Sequence, residues 1–522
     1  MFIPSGTRLS DLAHEPMRLV RKDGKQVLII RSEGRVFAIA NRCPHEGYPL
    51  SEGTLGAGCV LTCNWHNWKF ALADGRALIG RDPVRTYPVE LRGEEIFVDL
   101  DDPPAEAQRE RALKGLDVAM ADNDRARMAR EVARLERAGF DARQAIVHAI
   151  VSRNERLETG MGHAHAAGAD WLAMADRAPD EDRKLMAWLE PIGHLAWDTT
   201  GAGEFPYGGR TEHWDKTAFL SAMESEDEEE AIARMRGAIA DRISHRELRP
   251  VLADAALAHY ADFGHSAIYV LKAGQLIERL GSEVAAAMLL AEVRQLVQAT
   301  REERLPEFRH YAKFLAEWSE TGTDPLAAEA FEGLSVEGCL RRLAASAGRS
   351  HRELFDALLG AAAWNMLHFD LRFERATDNP IADNVGWLDF THALTFANAA
   401  RHLCEEEPSL WPKALLQLAL FVGRNAAYVK SQDVGAWQVD DRAGFLAREQ
   451  ASLYDHGIVE PITACHRLKI LFALEDELDA APDAPWSSLM CAAVNRYLNT
   501  PMKRHHGLRL AAQARDFIAR EG

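Results

Sequence analysis

The sequence predicts a multidomain chain: an all-β domain over residues 1–104, then a large all-α domain over residues 105–522. Three observations predict it. At 522 residues the chain exceeds what one ordinary hydrophobic core supports. As far as Leu100 it reads as short β-rich segments, 26–30, 36–40, 59–62 and 96–98, bounded by turns containing Gly or Asp. Beyond Asp101-Asp102-Pro103-Pro104, which breaks that pattern, the composition shifts to Ala, Leu, Glu and Arg. Apolar residues there recur every three or four positions, as in 113–135, 231–243, 281–301 and 414–428.

Bulk composition sets the outer limits. A content of 47% hydrophobic and 27% charged residues is a globular balance. A net charge of −18 disfavours nucleic acid or an anionic membrane face as partner. No run approaches the ~18 apolar residues that cross a bilayer, and Met1–Ser10 lacks a basic stretch leading into an apolar one. Five of the seven cysteines, Cys59, Cys339, Cys404, Cys465 and Cys491, are scattered and form no disulfide framework. The expectation is a cytoplasmic protein. The acidic run 224–230 reads as a solvated helix start with acids in its first turn.

The remaining two cysteines lie in Cys43-Pro44-His45 and Cys63-Asn64-Trp65-His66. A [2Fe–2S] centre with two thiolates on one iron and two neutral imidazoles on the other needs one Cys and one His from each of two loops. Exchanging two thiolates for imidazoles raises its potential. Four such ligands would also suit a tetrahedral structural zinc. The flanking stretches 41–53 (NRCPHEGYPLSEG) and 65–70 (WHNWKF), followed by an Asp74-Gly75 hairpin turn, argue against zinc. As far as Leu100 the chain resembles the Rieske ferredoxin and Rieske oxygenase family, which implies Cys43, His45, Cys63 and His66 as ligands of a [2Fe–2S] cluster. Relatives in respiratory complexes add a Cys to each loop and tie the loops with a disulfide. Here Gly47 and Tyr48 come after His45, and Asn64 and Trp65 after Cys63, so the centre resembles the lower-potential, oxygenase-associated kind.

The helical part lacks the D-x2-H-x4-H spacing of the usual Rieske oxygenase catalytic domain. A di-iron carboxylate site would need E-x-x-H on two helices, and Glu307-Phe308-Arg309-His310 is a single match in an Arg- and Glu-rich stretch. What remains are histidines in apolar or small-residue surroundings. His163 and His165 lie in 160–168 (GMGHAHAAG). Asp262-Phe263-Gly264-His265 and Asp389-Phe390-Thr391-His392 repeat one phrase. His456 and Glu460 stand at i and i+4, on one face if helical. A mononuclear non-haem iron takes imidazoles and a carboxylate with open positions for O2. A hydrogen-bonded core or capping residue is the competing reading for each. Asp262 and Asp389 could orient an imidazole or cap a helix. Trp171, Trp364, Tyr269 and Trp387 read as core or as the lining of a flat apolar pocket.

This part resembles the questin oxidase family, helical oxygenases that open anthraquinone rings. The resemblance is carried by Gly162-His163-Ala164, by 262–269 (DFGHSAIY), by 391–395 (THALT), and by Asp455-His456 leading to Thr463-Ala464-Cys465. In that family iron is held by several histidines and a carboxylated lysine. The resemblance therefore implies His163, His265, His392 and His456 as ligands, with Glu460 near the place of the lysine and Lys430 as the alternative.

The resulting expectation is an O2-dependent oxidoreductase. A Rieske-coupled mononuclear Fe(II) would hydroxylate or ring-cleave a small organic substrate, which the questin oxidase resemblance implies is aromatic or polyketide-like. No Gly-rich dinucleotide fingerprint follows a strand, so electrons come from a separate NAD(P)H-dependent reductase or ferredoxin; a homo-oligomer is compatible. The alternative is a Rieske electron carrier or redox sensor whose helical domain binds a partner and holds no catalytic metal.

Overall fold

The computed structural model describes residues 1–376, 385–502 and 507–520. The chain divides into two compact units, Met1–Gln108 and Arg109–Gly522. An N-terminal β domain is followed by a large helical region.

The N-terminal unit contains β1 (Phe2–Arg8), β2 (Met17–Lys22), β3 (Lys25–Ser32), β4 (Arg35–Ala40), β5 (Thr54–Gly56), β6 (Val60–Thr62), β7 (Lys69–Ala71), β8 (Ala77–Ile79), β9 (Thr86–Tyr87), β10 (Val89–Arg92) and β11 (Glu95–Asp99). They form three antiparallel sheets, in the orders β1-β11-β10, β2-β3-β4-β9 and β5-β6-β7-β8. The period of two along β3 separates two cores. Leu28 and Ile30, with Phe37 and Ile39 of β4, pack beside Cys43 and Cys63. Val27 and Ile29 pack with Ala38, Ile96 and Val98. The first ligand loop leaves the end of β4, and the second joins β6 to β7.

The 113–135 periodicity belongs to two helices, Ala105–Ala121 and Arg125–Arg137. The break comes at Asn123, held at φ +50°, and at Asp124, whose carboxylate accepts the Arg127 N–H at 3.0 Å. The acidic run is likewise split. Glu224 ends one helix, while Asp227 caps the next and Glu228–Glu230 fill its first turn. These acids are not merely solvated: Glu224 contacts His259, and Glu228 contacts the buried Arg294.

Four helices position the site: α1 (His163–Arg177), α2 (His265–Leu280), α3 (Trp387–Glu406) and α4 (Pro461–Ala480). α1 packs on α2 and α4, and α3 packs on the same two, closing a four-helix ring. Residues 164–175 of α1 are all buried, as expected of a helix surrounded by protein. His163 and His265 are the first residues of their helices, and His392 and His466 are the sixth of theirs. The histidines meet at one end, so the four helices run in the same direction.

Candidate metal centres

The two N-terminal loops share one backbone frame. The Cys43 N–H donates to the Tyr48 carbonyl at 2.8 Å and the Gly47 N–H to the Cys43 carbonyl at 2.8 Å; the Cys63 N–H donates to Trp68 at 2.8 Å and the Asn67 N–H to Cys63 at 2.9 Å. Gly47 and Asn67 occupy equivalent left-handed positions, φ +81° and +59°, which Gly adopts freely and Asn tolerates. Each loop thus turns its Cys inward and its His toward the rim. Cys43 and Cys63 are buried, the His45 and His66 rings meet edge to face at 4.5 Å, and Trp68 stacks on His45 at 4.8 Å. His45 Nδ1 is buried with no hydrogen-bond partner, as a metal-directed nitrogen would be. Burial, ahead of the neighbouring Cys63, pushes the Cys43 thiol up to about 11. A coordinating metal reverses that by deprotonating the thiol outright. Two buried thiols and two rim imidazoles fit a [2Fe–2S] cluster with Cys43, His45, Cys63 and His66 as ligands.

In the helical unit His163, His265, His392 and His466 bring ligand atoms within 4.8 Å of one another. His265 Nε2 lies 3.1 Å from His163 Nε2, and His466 Nε2 lies 3.0 Å from His392 Nε2. The other ring nitrogen of three of them points to a hydrogen-bond partner. His265 Nδ1 donates to the Asp262 carbonyl at 2.5 Å, His466 Nδ1 to the Ile462 carbonyl at 2.7 Å, and His163 Nδ1 lies 3.4 Å from the Tyr269 hydroxyl. A neutral imidazole donating from Nδ1 presents a lone pair at Nε2. At about 3 Å each Nε2 pair can hold a proton or a metal ion between its members, and four converging imidazoles suit iron or another first-row metal. Burial holds all four rings below the usual histidine range. The Lys469 charge comes next for His163, His265 and His466, and the neighbouring His265 comes next for His392. They therefore stay in the neutral, ligating form.

Main-chain strain aims His265. Asp262, Phe263 and Gly264 have φ of +52°, +46° and +78° in succession, a costly arrangement retained where geometry matters. A Cβ on Gly264 would lie 2.7 Å from Phe396 Cδ2. The parallel phrase at 389–392 behaves differently. Asp389 lies inside the first turn of α3, accepts the Gly386 N–H at 2.8 Å, and pairs with Arg424 at 2.8 Å. Asp262 reaches its histidine through its carbonyl, and Asp389 serves as a cap.

His163, His265 and His392 come together as a group, with His466 rather than His456 as the fourth member. The segment 455–460 is a loop, not a helix, because Gly457 sits at φ +59° and Pro461 opens α4. The i, i+4 relation of His456 to Glu460 therefore brings no shared face. His456 lies 3.6 Å from Glu190 and beside Trp171. Glu460 stands immediately before α4. Lys430 is exposed, its N–H donating to the His368 carbonyl. His165 Nδ1 accepts the Gly162 N–H at 3.3 Å, a capping role. His310 pairs with Glu337. Of the four aromatics Tyr269 adjoins the cluster, whereas Trp364 stacks on His368 and Trp387 packs against Phe369.

Sequence reasoning missed His466 and Lys469. Lys469 follows His466 by one helical turn, is buried, and has no hydrogen-bond partner at Nζ; burial lowers its pKa. The signal was a His-x-x-Lys pair inside the apolar stretch of α4, since Lys is almost never fully buried without a reason.

Comparison with known proteins bears on the first unit. Residues 7–88 match the Rieske [2Fe-2S] domain family. The 3-phenylpropionate/cinnamic acid dioxygenase ferredoxin subunits of Shigella boydii and Escherichia coli K12 are 41% identical over 69 residues, 13% of this chain. The chain spans 65% of the length of these relatives. Among solved structures, the ferredoxin of carbazole 1,9a-dioxygenase from Nocardioides aromaticivorans IC177 is 29% identical over 19% of this chain and 99% of its own, with a TM-score of 0.18. The terminal oxygenase of the same system is 31% identical over 20% of this chain and 30% of its own, with a TM-score of 0.19. Residues 7–88 of this protein are a Rieske [2Fe–2S] domain.

Proposed function

We propose that this protein is a Rieske-coupled non-haem iron oxygenase acting on a small organic substrate, with an NAD(P)H-dependent reductase or ferredoxin as its electron donor. One observation carries the reading. A chain with a Rieske domain also gathers four neutral imidazoles at one end of a buried helical bundle, Nε2 atoms facing inward. His163, His265, His392 and His466 would hold a mononuclear iron, which supplies O2 activation when bound. Tyr269 and the carbonyls of Asp262 and Ile462 fix the ring orientations.

The questin oxidase resemblance adds a carboxylated lysine to such histidines. Lys469 meets that requirement better than Glu460 or Lys430, being buried beside the group with its amine pKa lowered. An uncharged amine is the form that takes up CO2 to give an anionic oxygen donor.

Iron and acid-labile sulfide per chain in anaerobically purified protein test the reading. About three irons to two sulfides are expected, falling to about one iron in Cys43→Ala, which cannot hold the cluster. Two irons to two sulfides in the wild type, with none in the variant, would leave an electron carrier or sensor.

A further inference from the structure

The helices that carry the histidines also border, toward their other ends, a solvent-open cavity of about 410 Å³. All four line it, through residues such as Arg177 of α1, Arg279 of α2, His402 of α3 and Asp476 of α4. Between cavity and histidines the bundle interior is polar in layers. Lys469 lies three residues past His466, a rise of about 4.5 Å. Asp170 and Lys272 each lie seven residues past a histidine, His163 and His265, so they share its helix face about 10.5 Å along the axis.

Lys272 Nζ donates to Asp170 Oδ1 at 2.7 Å, joining α1 to α2, and both residues border the cavity. Asp170 is 4% exposed and Lys272 8%. Asp170 Oδ2 and Lys469 Nζ are buried and lack partners. The charges acting on Asp170 are those of Lys272, Lys469 and Arg279; those acting on Lys469 are Cys465, Asp170 and Lys272. Burial raises the Asp170 carboxyl, which lets it hold a proton in transit beside Lys272.

Reducing O2 consumes protons. The imidazoles are poor sources, because the Nδ1 hydrogens of His265 and His466 are held by carbonyls. We propose that Asp170 and Lys272 form a proton relay from the cavity to the histidine end of the bundle. This inference rests on the oxygenase reading above. In one transfer Lys272 Nζ gives a proton to Asp170 Oδ1 and regains one from a hydronium ion or buffer acid in the cavity, whose conjugate base returns to bulk solvent. A half-turn of the carboxyl group carries the proton across, and Asp170 passes it through water to the reduced oxygen at the histidine end, returning to the carboxylate. No electrons move, and one proton has travelled inward.

Iron-loaded, anaerobically reduced wild type, Asp170→Asn and Lys272→Met would be mixed with O2 while cluster reoxidation is followed by absorbance in H2O and D2O. Iron and sulfide are assayed on the same samples. The relay predicts at least tenfold slower reoxidation in Asp170→Asn at unchanged iron content, and partial rescue by formate, a small proton carrier, which leaves wild type unaffected. In metal-free protein, infrared difference spectra across a pH titration should show a carboxylic-acid band that Asp170→Asn lacks. Unchanged rates and isotope effects in both variants at full iron loading would overturn the relay. So would a slowed Asp170→Asn that formate does not rescue, or identical infrared spectra. If Asp170→Asn does not fold, Lys272→Met carries the rate comparison with the carboxyl group in place. A wild type with only the two cluster irons defeats the oxygenase reading itself, an outcome distinct from iron-loaded variants that match wild type.

Discussion

The two candidate metal centres are built on opposite principles. The Rieske ligands come in pairs with one or two residues between them, on loops that repeat the same two backbone hydrogen bonds and the same left-handed fifth residue, Gly47 or Asn67. Geometry there is set locally, and the surrounding strands only bring two similar loops together. The histidine group draws on residues 163, 265, 392 and 466, and no local rule links them. What unites them is the register of four helices packed in a ring, with a strained turn before His265. A local site survives reading from sequence alone, whereas a site assembled by helix packing is only partly visible there.

The sharpest way to break the comparison is to empty one centre at a time. His466→Ala should abolish iron binding by the helical unit while the visible spectrum of the cluster persists, and His456→Ala should leave the signals of both centres intact. Iron and sulfide assays on the two variants check this; equal iron loss in both would return His456 to the ligand set. Acid should separate the centres next. The four histidines have folded pKa values below the 6.5 of a free histidine, so as pH falls through 6.5 the unfolded chain binds more protons than the folded one, and stability drops. Metal-free protein should therefore melt at progressively lower temperature below pH 6.5, and iron should leave the helical unit over the same range because ligands must be deprotonated. Thermal melts and dialysis against chelator from pH 8 to pH 5 measure both.

How much of this was legible follows from the same contrast. The β domain was readable because Gly and Asp mark its turns and short apolar alternation marks its strands. The Rieske ligands were readable because each pair lies within three or four consecutive residues. In the helical unit, His163 and His265 were readable since each opens a helix after a Gly-containing turn. His392 emerged through its likeness to the His265 phrase, although the two phrases fold differently, one as a left-handed turn and one inside a helix. His456 drew attention through an i, i+4 spacing that presumed a helix, and Gly457 removed the presumption. His466 sits in a helix that is apolar around most of its circumference, where a histidine reads as core. Helix register in the folded bundle is a tertiary property, and no periodicity states which buried face meets which.

Smaller effects sharpen the contrast in backbone strain. Gly264→Ala combines a φ of +78° with a Cβ 2.7 Å from Phe396, and should cost roughly 1–3 kcal/mol. Gly47→Ala, at φ +81° with a Cβ 2.8 Å from Arg42 Nε, meets only a flexible side chain and should cost about 1 kcal/mol. Denaturant melts followed by helical circular dichroism for the first, and by cluster absorbance for the second, give the two numbers. A larger penalty at Gly47 would mean that the local loop, not the packed helix start, is the more constrained.

The smallest effect belongs to the surface of the Rieske unit. Tyr48 stacks on Trp65 at 4.1 Å and 14°, and Trp65 is 54% exposed, with its indole N–H donating to Glu52 at 3.2 Å. The main-chain carbonyl of Tyr48 accepts the Cys43 N–H, and that bond does not depend on the side chain. Tyr48→Ala should therefore forfeit the ring contact, about 0.5–1.5 kcal/mol, while leaving the ligand loop and the cluster spectrum unchanged. For a unit of this size such a loss lowers the melting temperature by several degrees, read by the bleaching of cluster absorbance on heating. If the spectrum itself shifts, the aromatic pair supports the cluster frame as well as covering it, and the first centre is less purely local than its hydrogen bonds suggest.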